Sequence, residues 1–113
     1  MDEKLRIGDD GNVIGIIVLS QSNPLKAIVE FLDRDPLISR SQAKRVLARV
    51  ELFRTVHFDF SRVSSIGQAF SDEIFRVFAH AHPTVELQFA NANAAIRRMI
   101  SRARSAETRR FLR

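Results

Sequence analysis

The chain has 113 residues, a length suited to one domain that buries a modest core without help from disulfides or metal. It has no cysteine, which excludes structural disulfides, thiol-ligated zinc and thiol catalysis, and fits a reducing cytoplasm. The formal charge is +5, but seven arginines against Glu107 put +6 on residues 97–113 and leave −1 on residues 1–96, so any nucleic-acid role rests on the end of the chain.

Leu5 to Gly8 and Val13 to Ser20 read as two strands around the turn Asp9-Asp10-Gly11-Asn12, because Asp-Gly between apolar runs favours a hairpin. The run Val13 to Leu19 is apolar on both faces and belongs inside a sheet; it is far too short to span a membrane. Met1-Asp2-Glu3-Lys4 does not lead a basic segment into an apolar one, so no signal peptide is expected, and the expected location is the cytoplasm.

Asn23 followed by Pro24 looks like a helix cap with proline at the first helical position. Leu25, Ile28, Val29 and Leu32 then share a helical face, and Asp33-Arg34-Asp35-Pro36 ends that helix. Ser39 and Gln42 form a capping-box pattern before a second helix with Ala43, Leu47 and Val50 inward. Thr55 to Ser61 alternates as a strand, with Val56, Phe58 and Phe60 on one side and His57 and Asp59 on the other.

Ser64 to Gln68 turns into a helix with Ser65 and Gln68 as a further capping box; Phe70, Ile74, Val77 and Phe78 form its apolar stripe and Pro83 closes it. Val85, Leu87 and Phe89 alternate as a strand, and Asn91 or Asn93 caps a last helix with Ile96, Met99, Ile100 and Ala103 inward. The expected order is β-β-α-α-β-α-β-α, an α/β fold on one sheet with a strong parallel component. Residues 1–105 make the domain and residues 106–113 a basic C-terminal tail.

From Phe58-Asp59-Phe60-Ser61-Arg62-Val63-Ser64 through Ser65-Ile66-Gly67-Gln68-Ala69-Phe70-Ser71-Asp72-Glu73-Ile74-Phe75 the chain resembles the STAS-like domains of unknown function. These are distant relatives of the domain shared by sulphate transporters and anti-sigma-factor antagonists. Ile66 to Phe75 is the specific part, and the pattern of elements extends the likeness from Leu5 to Met99. The resemblance implies a small mixed sheet of about four strands, with helices packed mainly on one face. It implies binding without catalysis, to a partner of the histidine-kinase-type ATPase class.

In the antagonist branch a helix opens with Asp-Ser-Ser or Asp-Ser-Thr, and one hydroxyl is phosphorylated by the ATPase. With Asp59 set on that branch's strand Asp, Gly67-Gln68-Ala69 stands in the motif's place and the acceptor falls on Ala69, which has no hydroxyl. A phosphate switch of that type is therefore not expected. A shifted alignment would bring in Ser65 or Ser71.

Other constellations carry two readings each. Gly67-Gln68 at a helix start offers free N–H groups to an anion or to a partner's carboxylate, or is an ordinary capped start packed closely through glycine. Asp72 and Glu73 point about 100° apart on a helix, so they suit a solvated face beside a positive helix end better than acid–base work on one atom. His57 and Asp59, with His80 or His82, lack metal-ligand spacing and are expected as surface groups. No Gly-x-Ser-x-Gly elbow, P-loop or Gly-x-Gly-x-x-Gly occurs, so neither catalysis nor a cofactor is expected. Arg40, Lys44, Arg45 and Arg49 form a basic stripe that suits phosphates, as does the arginine tail, although without Trp or Tyr few base-stacking platforms are available.

The expectation is a non-enzymatic domain that binds a protein through residues 63–73, using Gly67, Gln68, Ser71, Asp72 and Glu73, extended by Arg40. The second reading is a nucleic-acid accessory protein acting through its arginine-rich end; a small enzyme comes third. Exposed apolar edges also allow a homodimer.

Overall fold

The protein's structure, a computed structural model, describes residues 4–9, 12–32 and 36–111. Strands β1 (Lys4–Asp9) and β2 (Asn12–Leu19) pair antiparallel as the sequence predicts; the Asp10-Gly11 turn itself lies outside the described residues. Ile7 pairs with Gly15 and Gly8 with Val13, so Ile14 is the extra residue of a β-bulge. The bulge leaves both Ile14 and Gly15 buried, and re-aims the strand as such insertions do.

The segment expected as the first helix is a strand, β3 (Lys26–Phe31), with alternate residues Ala27, Val29 and Phe31 fully buried. Asn23 and Pro24 initiate a turn there. The Lys26 amide donates to the Asn23 carbonyl at 3.1 Å, and the Leu25 amide to the Asn23 side-chain oxygen at 3.1 Å. Asn-Pro serves a turn as readily as a helix start. Leu25, Ile28, Val29 and Leu32 match helical spacing by coincidence, while the β-branched Ile28-Val29 pair suits the strand.

Helix α1 (Arg40–Val50) follows, then β4 (Thr55–Asp59). Helix α2 is three consecutive pieces: an α-helical start Gln68–Asp72, a π-helical stretch Glu73–Phe78 and a closing turn Ala79–Ala81. The wider π turn rotates each residue less about the axis than an α turn. Phe75 is therefore buried beside Ile74, while Val77 is only half-buried. Strand β5 (Glu86–Ala90) leads to helix α3 (Ala94–Phe111), whose backbone runs without a break past residue 105; side chains from 106 onward lie outside the described residues.

The sheet has five strands in the order β1-β2-β3-β4-β5, one more than expected. β1 to β3 are antiparallel neighbours, and β3 to β5 are parallel. The mixed α/β class stands. The inward residues of the strands and the apolar stripes of all three helices form one core. At its centre the Phe31 ring meets Phe58, Phe60 and Phe70 at centroid distances of 6.0, 5.3 and 5.7 Å, separations typical of favourable aromatic pairs. Residues alternate buried and half-buried along β3 and β4, and the buried set shares one core with the three described helices, so among the described residues the sheet's other face carries no helix layer.

Candidate functional site

Two connections run side by side at the carboxyl end of the parallel strands. Leu37, before α1, makes a parallel β-bridge with Ile66, before α2, and the Gly67 amide donates to the Leu37 carbonyl at 2.8 Å. This bridge sets the starts of α1 and α2 next to each other. It requires glycine: a Cβ on Gly67 would sit 2.8 Å from the Ile38 Cα and 3.0 Å from the Ile38 carbonyl oxygen.

The α1 side is held by Gln42. Its side-chain oxygen accepts from the Ile38 and Ser39 amides, both at 2.9 Å, and its Nε2 donates to the Pro36 carbonyl at 3.0 Å. The capping box between Ser39 and Gln42 is present in both directions. So fixed, Ile38 stands 59% exposed beside Gly67. The predicted box between Ser65 and Gln68 is absent: Gly67 occupies the cap position and no side chain caps the helix. Ile66 is committed to the bridge with Leu37, so the helix begins one step beyond it.

A charged cluster crosses the two helices. The Arg40 guanidinium lies 3.1 Å from the Glu73 carboxylate and 3.7 Å from that of Asp72. Arg76, one turn along from Asp72, engages both Asp72 oxygens through Nε and a terminal nitrogen. The hydrogen bond from Arg76 is the main cause holding the Asp72 carboxyl below its ordinary value, against a partial opposing effect of burial; the charges of Arg76 and Arg40 add to the lowering. Asp72 and Glu73 do not converge on one atom, and both answer arginines of their own chain.

The structure therefore brings Arg40, Asp72 and Glu73 together and places Gly67 and Gln68 at the adjoining helix start. Gln68 and Ser65 are exposed and Ala69 is half-buried. Ser71 faces inward at 1% exposure, with an Oγ that lacks a hydrogen-bond partner, and Glu73 is 5% exposed. Ile38 and Arg76 were not singled out from the sequence. Ile38 immediately precedes the capping Ser39, where an apolar residue commonly staples a helix start, so its exposure was not legible. Arg76 sits four residues from Asp72, a spacing that flags an ion pair.

A second polar knot fixes the loop after β4. Asp59 Oδ1 accepts from the Ser61 amide at 2.9 Å and from Asn91 Nδ2 at 3.0 Å. The hydrogen bond from Asn91 is the largest cause lowering the Asp59 pKa, opposed by burial and reinforced by bonds from Ser61 and by the charge of His57. Asn91 takes a left-handed φ of 59°, which asparagine tolerates better than most residues. Asn93 is the cap of α3: its Oδ1 accepts from the Ile96 amide at 2.9 Å, and its Nδ2 donates to the Ser64 carbonyl at 2.7 Å. His57 lies 3.4 Å from Gln88 and is near enough to act on Asp59 through its charge, whereas His82 stacks on Phe78. Among the described residues no group of three metal-ligating side chains forms.

Lys44, Arg45 and Arg49 are exposed along α1, as are Arg97, Arg98 and Arg102 on α3. Arg104 is turned onto its own domain, 5.4 Å from the Phe75 ring centroid and 5.6 Å from that of Phe89. Among the described residues no helix is long and apolar enough to cross a membrane.

A mixed sheet with all helices on one face, and two helix starts bridged at the ends of its parallel strands, defines a small α/β domain of the STAS-like class. The family model of the STAS-like domain of unknown function matches residues 42–97, and the chain belongs to that family. The solved structure of SLC26A9 has a similar fold over 88% of this chain, with a TM-score of 0.52 and 13% identity. The chain spans 20% of the length of that structure's chain. No curated protein matches the chain in sequence.

Proposed function

We propose that the domain is a non-enzymatic, cytoplasmic regulatory module that binds a partner protein through the loop and helix start at residues 63–73. A histidine-kinase-type ATPase is the partner class the family resemblance suggests. The observation that carries this reading is the Leu37–Ile66 bridge, which makes one surface of two helix starts. That surface has the exposed apolar Ile38 beside Gly67 and Gln68, with the half-exposed Arg40 at its edge. An apolar centre with a charged rim is the usual anatomy of a protein-binding patch. Gly67, Gln68, Arg40 and the outer edge of Asp72 make direct contact; Ser71 and Glu73 shape the surface from beneath. Recognition follows the partner's state, and no bond on this chain is made or broken.

The exposed Arg97, Arg98 and Arg102 support a second reading, in which α3 contacts a nucleic-acid backbone. A tagged pull-down from the native cell at low salt, with and without nuclease, separates the two. A near-stoichiometric protein that survives nuclease supports the regulatory module. Recovery of nucleic acid alone, lost steeply with salt, overturns it in favour of α3.

A further inference from the structure

The sheet face away from the helices carries Ile16 and Val18 on β2 and Ile28 on β3, all half-buried and none belonging to the core. Val18 and Ile28 are direct cross-strand partners. Across the same face, in register, run Arg6, Ile16 and Glu30, from β1 through β2 to β3. The apolar residue is thus flanked by a cation on one side and a carboxylate on the other, each one strand away. Neither Arg6 nor Glu30 forms an ion pair with another described residue.

We infer that this face packs against the same face of a second copy of the chain, about a two-fold axis running along β2. Such an axis lays β1 of one copy over β3 of the other and keeps the level along the strands. Ile16 then meets Ile16 at the axis, and each Arg6 meets the other copy's Glu30. The patch is self-complementary, as a two-fold interface demands. Aligned sheets pack about 10 Å apart with their inner side chains interdigitated, which the branched Ile16, Val18 and Ile28 suit. With the axis on β2 only β1 to β3 overlap, and three strands about 4.8 Å apart and about 17 Å long give a footprint of roughly 240 Å² per copy, well below the roughly 800 Å² of a stable complex. The dimer is accordingly weak and reversible, with a dissociation constant of roughly micromolar or higher, so it forms on concentration and dissociates on dilution. Because the helices lie on the opposite face, dimerisation leaves the surface around Ile38 uncovered.

Sedimentation of the purified full chain, across concentrations from micromolar to millimolar, tests this with two charge reversals. R6E alone and E30R alone each place like charges across the axis and weaken self-association at least tenfold. Mixing R6E with E30R restores a dimer, because both trans pairs become Glu against Arg. As a measurement independent of those variants, I16C is joined to its counterpart across the axis by a short bis-maleimide, because sheets about 10 Å apart stand beyond disulfide reach; the chain has no native cysteine to compete. Q68C, at the helix start, serves as the control that does not cross-link. A wild type that stays monomeric throughout, or a dimer indifferent to the reversals with I16C failing to cross-link, overturns the inference.

Discussion

The Arg40 guanidinium on the first turn of α1 lies 3.1 Å from the Glu73 carboxylate on α2, although the two residues are 33 positions apart. The side chains differ sharply in setting: Arg40 is 46% exposed and Glu73 only 7%. Removing the arginine strands a buried carboxylate, whereas neutralising the glutamate leaves an arginine that water can solvate.

The pair is therefore asymmetric in its cost. R40A is expected to destabilise the domain by about 2 kcal/mol and E73Q by under about 1 kcal/mol, measured as shifts in the urea midpoint at constant slope. Equal costs would show that Glu73 is no more dependent on the pair than its partner.

Gly67 has an ordinary extended backbone, φ −78°, so its requirement is steric. G67A drives a Cβ into the Ile38 backbone, which has no flexible end to yield, and is expected to cost about 1–3 kcal/mol in denaturant unfolding. A neutral G67A would mean that the bridged connections can separate freely.

Ser71 behaves in the opposite sense. Its buried Oγ has no hydrogen-bond partner, so S71A removes an unsatisfied polar atom and is expected to be neutral or stabilising by up to about 1 kcal/mol. Substantial destabilisation would reveal a bond to that hydroxyl in solution.

Acid sensitivity follows from Asp72 and Asp59, whose carboxyls are held below their ordinary value of 3.8 by Arg76 and Asn91 respectively. A folded pKa below the unfolded one stabilises above the unfolded value, and this is lost as pH falls through the folded value. The stability that these two carboxylates contribute should thus be complete above about pH 5 and decline below about pH 4, with D72N showing a shallower acid limb than wild type. Parallel acid limbs would contradict the role given to Asp72.

Much of the fold was legible because local signals and tertiary packing agree. Ser39 and Gln42 cap α1 as their spacing predicts, and Val56, Phe58 and Phe60 face inward as their alternation predicts. The exception is β3, where a six-residue segment is too short for periodicity to separate helix from strand and Asn23-Pro24 signals both. The neighbours decide: β2 and β4 offer hydrogen bonds on both sides of Lys26–Phe31. In the candidate site, Gly67, Gln68 and the acidic pair were visible as a helix start. Burial of Ser71 and Glu73, and the exposure of Ile38, depend on the Leu37–Ile66 bridge, a contact between distant segments that no local pattern encodes.

The most direct test compares tagged wild type and I38D in parallel pull-downs from the native cell after nuclease treatment. Ile38 is already largely exposed, so I38D should keep the wild-type urea midpoint while placing a charge at the centre of the proposed surface. A protein recovered near stoichiometry with wild type and lost with I38D is the predicted result. Equal recovery with both would contradict a partner surface built on the two bridged helix starts.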